Sequence, residues 1–247
     1  MNLFRSLIDM IYPPRCFICD GFLLRGPPTP EHGGVHICEI CLKDFQRLAS
    51  PLCPVCGKPF FSGLPEDHWC EDCLRKRPLF EALLAPYLYE GSLMKAIHRF
   101  KYGSKGFIAS SLGPLLGAFA KDRLKNPDDL LVMPVPLHPK RLRQRGFNQT
   151  LLLARHLVRH LPVELDFFNL RRIRHTAPQI GLGKDERRKN VRGAFRLSTP
   201  KTVRGRAILL LDDVATTGNT LNECARVLMK AGAERVLCLV LARAANP

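Results

Sequence analysis

This sequence has no long hydrophobic run, few acidic residues beside its basic ones, and a single tryptophan. No apolar stretch in its 247 residues approaches the roughly 18 that a membrane span requires. The opening segment, Met1 to Ile11, is interrupted by Arg5 and Asp9, which is wrong for the apolar core of a secretory signal. These two absences lead to the expectation of a cytoplasmic protein without a membrane span. Low-complexity tracts are missing as well. With 46% hydrophobic and 24% charged residues, disorder is excluded as a description of the whole chain. At about 100–200 residues per domain, the length fits one large domain, or a medium domain with a small one.

What is present divides the chain in two. Residues 1–77 carry 9 basic and 9 acidic groups, so the whole net charge of +16 lies in 78–247. Within that part, His138 to Arg206 holds 18 basic and 4 acidic residues. Such a segment seeks anions, and phosphates of nucleic acid or of metabolites both qualify.

Cysteines mark the same boundary. Eight of the 10 form C-x2-C pairs: Cys16/Cys19, Cys38/Cys41, Cys53/Cys56 and Cys70/Cys73. Such a pair sets two thiolates on one tight turn, and two turns complete a tetrahedral zinc site. A disulfide framework is the competing reading, but no secretory signal accompanies it. The simplest arrangement is sequential, 16/19 with 38/41 and 53/56 with 70/73; interleaved pairing fits the spacing too. About two structural zinc ions per chain are therefore expected, in a double ribbon over 1–77 with a short N-terminal helix. His32, His36 and His68 read as solvated surplus, and Cys224 and Cys238 as buried small hydrophobes. Chelation is expected to unfold the ribbons and largely spare the rest.

From Phe80 the pattern becomes alternating strands and helices. Strands are predicted at Leu83–Tyr89, Leu130–Pro136, Ala207–Leu211 and Val236–Leu241. Helices are predicted from Ser92, as N-cap, over the face Leu93, Ile97 and Phe100, and at Ile108–Leu124, Asn148–Leu161 and Asn219–Ala231. Continuous apolar strands imply a mainly parallel sheet flanked by helices, an α/β domain over 78–247.

The most informative stretch is Asp212-Asp213-Val214-Ala215-Thr216-Thr217-Gly218-Asn219-Thr220, which ends an apolar strand and opens a helix. Its loop offers backbone N–H groups and hydroxyls to a phosphate, aided by the helix dipole. Two carboxylates nearby can accept from vicinal sugar hydroxyls. Together they describe a ribose 5-phosphate site at the carboxyl edge of a sheet. After the strand ending at Pro136 come Lys140, Arg141, Arg143 and Arg145, whose cationic heads suit a pyrophosphate.

This stretch resembles the phosphoribosyl pyrophosphate (PRPP) signature of type I phosphoribosyltransferases. Pro134-Val135-Pro136-Leu137, then Arg143-Gln144-Arg145-Gly146-Phe147-Asn148-Gln149, resembles the ComF/GntX family more narrowly. Thr176 to Phe195, with Gln179, Leu182, Arg187, Asn190 and Gly193-Ala194-Phe195, resembles the same family. The resemblance implies an N-terminal double zinc ribbon and a phosphoribosyltransferase-like domain. It makes Asp212 and Asp213 the ribose-hydroxyl ligands, and Ala215 with Thr216 to Thr220 the 5-phosphate loop. Lys140 and Arg141, with Arg143 and Arg145, fall in the pyrophosphate region, and Mg²⁺ is expected to accompany PRPP. Some purine-using relatives place a carboxylate as general base where Thr216 stands; no acid occurs here between Val214 and Asn222. No glutaminase nucleophile is evident.

The family link implies work in DNA uptake, natural competence or the use of DNA as a nutrient, with competence or DNA-processing proteins as partners. Three readings result: a PRPP-binding protein without turnover, an active phosphoribosyltransferase of nucleotide metabolism, and a non-enzymatic single-stranded DNA-binding factor. For the third, Arg187, Arg188 and Lys189 are the expected nucleic-acid contacts, while Phe147, Phe167, Phe168 and Phe195 serve equally well as core. Replacing Asp212 and Asp213 together by Asn is expected to abolish PRPP binding and to leave the fold intact or more stable.

Overall fold

A computed structural model describes residues 12–23, 36–61, 65–103, 105–176 and 184–245, without the side chains of residues 184, 185, 187 and 188. The expected N-terminal helix, His32, Gln179 and Leu182 lie outside the described residues, as do the side chains of Arg187 and Arg188.

Two short helices, α1 (Glu39–Lys43) and α2 (Glu71–Arg75), belong to the cysteine-rich part. Next come β1 (Ala82–Leu84), β2 (Tyr87–Leu88), α3 (Gly91–Tyr102), α4 (Ala109–Arg123), β3 (Leu130–Pro134), α5 (Pro139–Arg145) and α6 (Gln149–Leu157). The chain continues through β4 (Glu164–Leu165), β5 (Leu170–Arg172), α7 (Lys184–Val191), β6 (Phe195–Leu197), β7 (Ala207–Ala215), α8 (Asn219–Lys230) and β8 (Arg235–Arg243).

The sheet runs β1-β8-β7-β3-β4 with every pair parallel, and β2 also pairs with β8. Strands buried on both faces need apolar residues at consecutive positions, and Ala207 to Leu211 supplies them. Leu209 and Leu211 face a helical layer built by Leu93, Ile97 and Phe100 of α3, Leu112 and Leu116 of α4, and Leu153 and Leu157 of α6. Ile208 and Leu210 face the other way, onto Leu221, Cys224 and Leu228 of α8. Each such leucine or isoleucine contributes about 1.5–3 kcal/mol by leaving water. Cys224 and Cys238 are fully buried within this second layer, as expected of small hydrophobes.

Several boundaries differ from the sequence expectation. Pro86 has no N–H for a ladder, and the expected strand Leu83–Tyr89 is broken there into β1 and β2. β7 runs on past Leu211 through the two aspartates to Ala215. Ser92 is not the N-cap of α3; that position falls to Glu90, which makes no side-chain cap. Asp44, from the first ribbon, instead accepts the Ser92 N–H at 2.8 Å, so the helix start is capped from outside. An antiparallel pair, β5 with β6, forms a hood that was not foreseen. Its strands, Leu-Arg-Arg and Phe-Arg-Leu, are short and half charged.

The ribbons are docked on the sheet at its β1/β8 edge, one toward each face. Phe17, Ile18, Ile37 and Phe45 join the helical layer. Cys53, Val55, Cys70 and Cys73 join the α8 layer. Backbone bonds weld the joint: Leu83 N–H to Val55 C=O at 2.8 Å, Leu48 N–H to Pro86 C=O at 2.9 Å, and Leu88 N–H to Gln46 C=O at 2.9 Å. Gly57, at φ +63°, sits so near β1 that a Cβ would lie 2.8 Å from the Leu83 carbonyl oxygen. Only glycine serves there.

Candidate functional site

β3 and β7 are neighbours and parallel, so the segments that leave their C-terminal ends emerge at one edge of the sheet. After β7 the chain turns at Gly218, φ +73°, the left-handed N-cap of α8. The Thr217 hydroxyl accepts the Asn219 N–H at 3.4 Å. Asp212 and residues 214–221 line a small open pocket at this turn. The sequence-predicted loop is thus one concave surface at the start of a twelve-residue helix, where the dipole favours an anion.

The two aspartates are not equivalent. Asp213 is buried: its Oδ1 lies 2.9 Å from Lys101 Nζ, and its Oδ2 accepts from Gln149 Nε2 at 2.9 Å. Asp212 borders the pocket, and its Oδ1 accepts from Thr150 Oγ1 at 3.2 Å and from the Asp213 N–H at 2.9 Å. Burial, then the charge of Asp213, pushes the Asp212 carboxyl up to about 7 against the pull of Lys101 and its hydrogen bonds. Burial draws the Lys101 ammonium down, but the charge and hydrogen bond of Asp213 outweigh it and hold it above its ordinary value. Gln149 Oε1 is buried and finds no partner among the described residues.

Lys101, Gln149 and Thr150 were not singled out from sequence as part of this site. A signal existed for Lys101: it stands four residues after Ile97, on the apolar stripe of α3, where a lysine is costly unless paired.

After β3 comes α5, opened by His138, whose Nδ1 accepts the Lys140 N–H at 3.2 Å. Lys140 and Arg143 are exposed, while Arg141 and Arg145 are half-buried. Arg145 lies over the Tyr102 ring at 5.1 Å. The hood adds a cation absent from the sequence expectations. Arg172 is buried over the Phe195 ring at 5.3 Å, donates to the Thr176 hydroxyl, and has an Nε without a partner among the described residues. Burial and then Arg141 lower its basicity, while the carboxylate of Asp212 acts against them. Arg172 thus stands near enough to Asp212 of the pocket and to Arg141 of α5 to feel both charges. Lys189, on α7, is exposed. Phe195 is core, Phe147 stacks on Phe100 at 5.8 Å, and Phe168 is largely exposed with Phe167 beside it.

None of the ten cysteines forms a disulfide. Eight gather into two tetrads, Cys16, Cys19, Cys38, Cys41 and Cys53, Cys56, Cys70, Cys73, with ligand atoms within 4.8 Å of one another in each. A tetrahedral ion with Zn–S of about 2.3 Å sets its sulfurs about 3.8 Å apart. Cys19 and Cys38 stand at 3.6 Å, as do Cys56 and Cys70. Backbone N–H groups of Ile18, Cys41 and Cys70 each point at a ligand sulfur at 3.4 Å. The donor set and spacing fit zinc, in the sequential pairing. His36 packs on Phe107 and His68 on Phe60, and neither joins a tetrad.

Fold and site together define a phosphoribosyltransferase-type α/β protein that carries two structural zinc ribbons. A family model described as double zinc ribbon domain matches residues 7–74, and one described as phosphoribosyl transferase domain matches residues 148–247. The chain is 37% identical over 237 residues to DNA utilization protein YhgH of Escherichia coli, covering 94% of this chain and 97% of the relative. It is 34% identical to competence protein F of Haemophilus influenzae, covering 93% and 97%. Competence protein ComFC of Bacillus subtilis is 28% identical, over 88% of this chain and 89% of its own. The chain belongs to the family of YhgH and competence protein F.

Proposed function

We propose that the pocket after β7 binds the ribose 5-phosphate part of PRPP, with Mg²⁺, in a cytoplasmic protein that serves DNA uptake or the use of DNA. The observation that carries this reading is the pocket itself, in which Asp212 and the amides and hydroxyls of 215–220 line one surface. Phosphate goes to Thr216, Thr217, Gly218, Asn219 and Thr220. The sugar hydroxyls go to Asp212, with Asp213 behind it fixing the charge of this end through Lys101. Lys140, Arg141, Arg143 and Arg145 take the pyrophosphate, joined by Arg172. Mg²⁺ would be held mostly by PRPP oxygens and water. The names of the relatives, DNA utilization protein and competence protein, support the setting in DNA handling, where competence or DNA-processing proteins are the partners.

Calorimetric titration tests the ligand. PRPP and ribose 5-phosphate should both saturate one site, and ribose without phosphate should not. Saturation by ribose alone, or no saturation by either phosphate, would sink the reading. Turnover is a separate question, answered by pyrophosphate release: Thr216 stands where some relatives keep a carboxylate, and the proposal is binding without that base. Single-stranded DNA is a second reading, favoured by the exposed Tyr102 with Arg145 over its ring. Lys189, with Arg187 and Arg188, extends that surface in this reading.

A further inference from the structure

Arg243, the last residue of β8, is 4% exposed. A buried guanidinium requires a counter-charge or many acceptors. Among the described residues it forms no ion pair with a carboxylate, and its donors go in two directions. On one side Nε donates to the Cys56 carbonyl at 2.9 Å, and Nη2 lies 4.0 Å from Cys56 Sγ. On the other side Nη1 meets the carbonyls of Ala215 at 3.3 Å, Ala244 at 2.7 Å, and Thr216. One side chain thus touches a ligand residue of the second metal site and the backbone of the candidate phosphate loop.

The chemistry of both ends makes this more than packing. Four thiolates around one zinc dication would leave a net negative charge beside Arg243, whose Nη2 lies 4.0 Å from Cys56 Sγ. Zinc held by Cys53, Cys56, Cys70 and Cys73 would also fix the Cys56 carbonyl that aims the guanidinium. At the loop end, a planar trans peptide sends its C=O and the following N–H in opposite directions. Holding the Ala215 and Thr216 carbonyls from behind therefore turns the Thr216 and Thr217 N–H groups away from Arg243. A cation on those carbonyls also polarises the two peptides and makes their N–H groups better donors.

We infer that Arg243 is a positioning residue through which the second zinc site, Cys53, Cys56, Cys70 and Cys73, holds the 215–217 loop in its anion-binding conformation. Loss of that metal then weakens ligand binding at a site that contains no metal ligand. The inference about affinity rests on the proposed PRPP site; the inference about loop order does not. The first ribbon offers an internal comparison, because a different arginine docks it. Arg99 donates to the Phe17 carbonyl at 2.9 Å and to both oxygens of Asp20 at 2.8–2.9 Å, with no contact to the loop.

The test uses the full zinc-loaded chain and two readouts, amide hydrogen exchange across 212–220 and the calorimetric affinity for PRPP with Mg²⁺. Arg243→Met should speed exchange in the loop and weaken PRPP by about tenfold, the scale of losing one hydrogen bond to a charged group. Cys73→Ser, which opens the second metal site without touching Arg243, should do the same and lower bound zinc by about one ion per chain. Arg99→Met should leave the loop and the affinity unchanged. Should Cys73→Ser fail to fold, Arg243→Lys keeps the charge, loses the fork, and should still loosen the loop. Wild-type loop exchange and affinity in both Arg243 variants would overturn the inference. Faster loop exchange in a protein whose wild type binds no PRPP would uphold the coupling and remove the ligand reading instead.

Discussion

Asp212 and Asp213 read as a repelling pair in the sequence, yet they carry opposite energetic signs in the fold. Asp213 is matched by Lys101 and Gln149, whereas Asp212 is the member that burial and its neighbour disfavour as an anion. Folded Asp212 keeps its proton up to about 7, and the unfolded chain gives it up near the ordinary carboxylate value of about 4. Stability is then lost as pH climbs between those values, because the folded state binds the extra proton. Asp212→Asn keeps the oxygen that accepts from Thr150 and Asp213 and removes the penalty. It should raise stability by about 2 kcal/mol at pH 8 and by little at pH 4, read from urea midpoints at constant slope. No gain at pH 8 would contradict the assignment. Lys101→Met should act the other way and cost about 3 kcal/mol at pH 7, since it leaves Asp213 buried and unpaired. The double Asn variant is expected to leave the fold intact or more stable; Asp212→Asn contributes the gain, while Asp213→Asn removes the counter-charge of buried Lys101 and should offset part of it.

At the scale of elements, the sequence announced those whose physics is local. The apolar run Ala207–Leu211, the glycine turn at Gly218 and the spaced cysteine pairs each depend on neighbours a few residues away. The hood was hidden because β5 and β6 are three residues each, half arginine, and paired across 22 intervening residues. Asp44 as a cap for α3 was hidden because it arrives from another part of the chain. Arg243 lies beyond the predicted strand Val236–Leu241 and drew no notice in the sequence; only the juxtaposition of Cys56 with the loop shows its use. α5 and the hood also make a test at this scale. If single-stranded DNA crosses the basic surface, Arg145→Ala should weaken it and flatten its salt slope by about one, because one fewer condensed counterion is released. PRPP affinity should fall as well, while Lys189→Ala should affect DNA alone. Equal losses of both ligands from Lys189→Ala would merge the two surfaces into one.

At the scale of the molecule, the division at residue 77 is clear in charge and cysteine content, and less so in packing. The ribbons clasp the β1/β8 edge, feed residues into both apolar layers and cap α3. Chelation is therefore expected to lower the melting temperature of the whole chain, against the sequence expectation of a spared sheet domain. Two separate transitions, with the sheet transition unmoved by chelator, would restore that expectation. The central claim is that a sugar phosphate seats at the end of β7. Hydrogen exchange with and without saturating PRPP and Mg²⁺ tests it most directly: slowing should concentrate in 212–221 and in 138–145, whereas saturable binding that leaves 212–221 unprotected would contradict it.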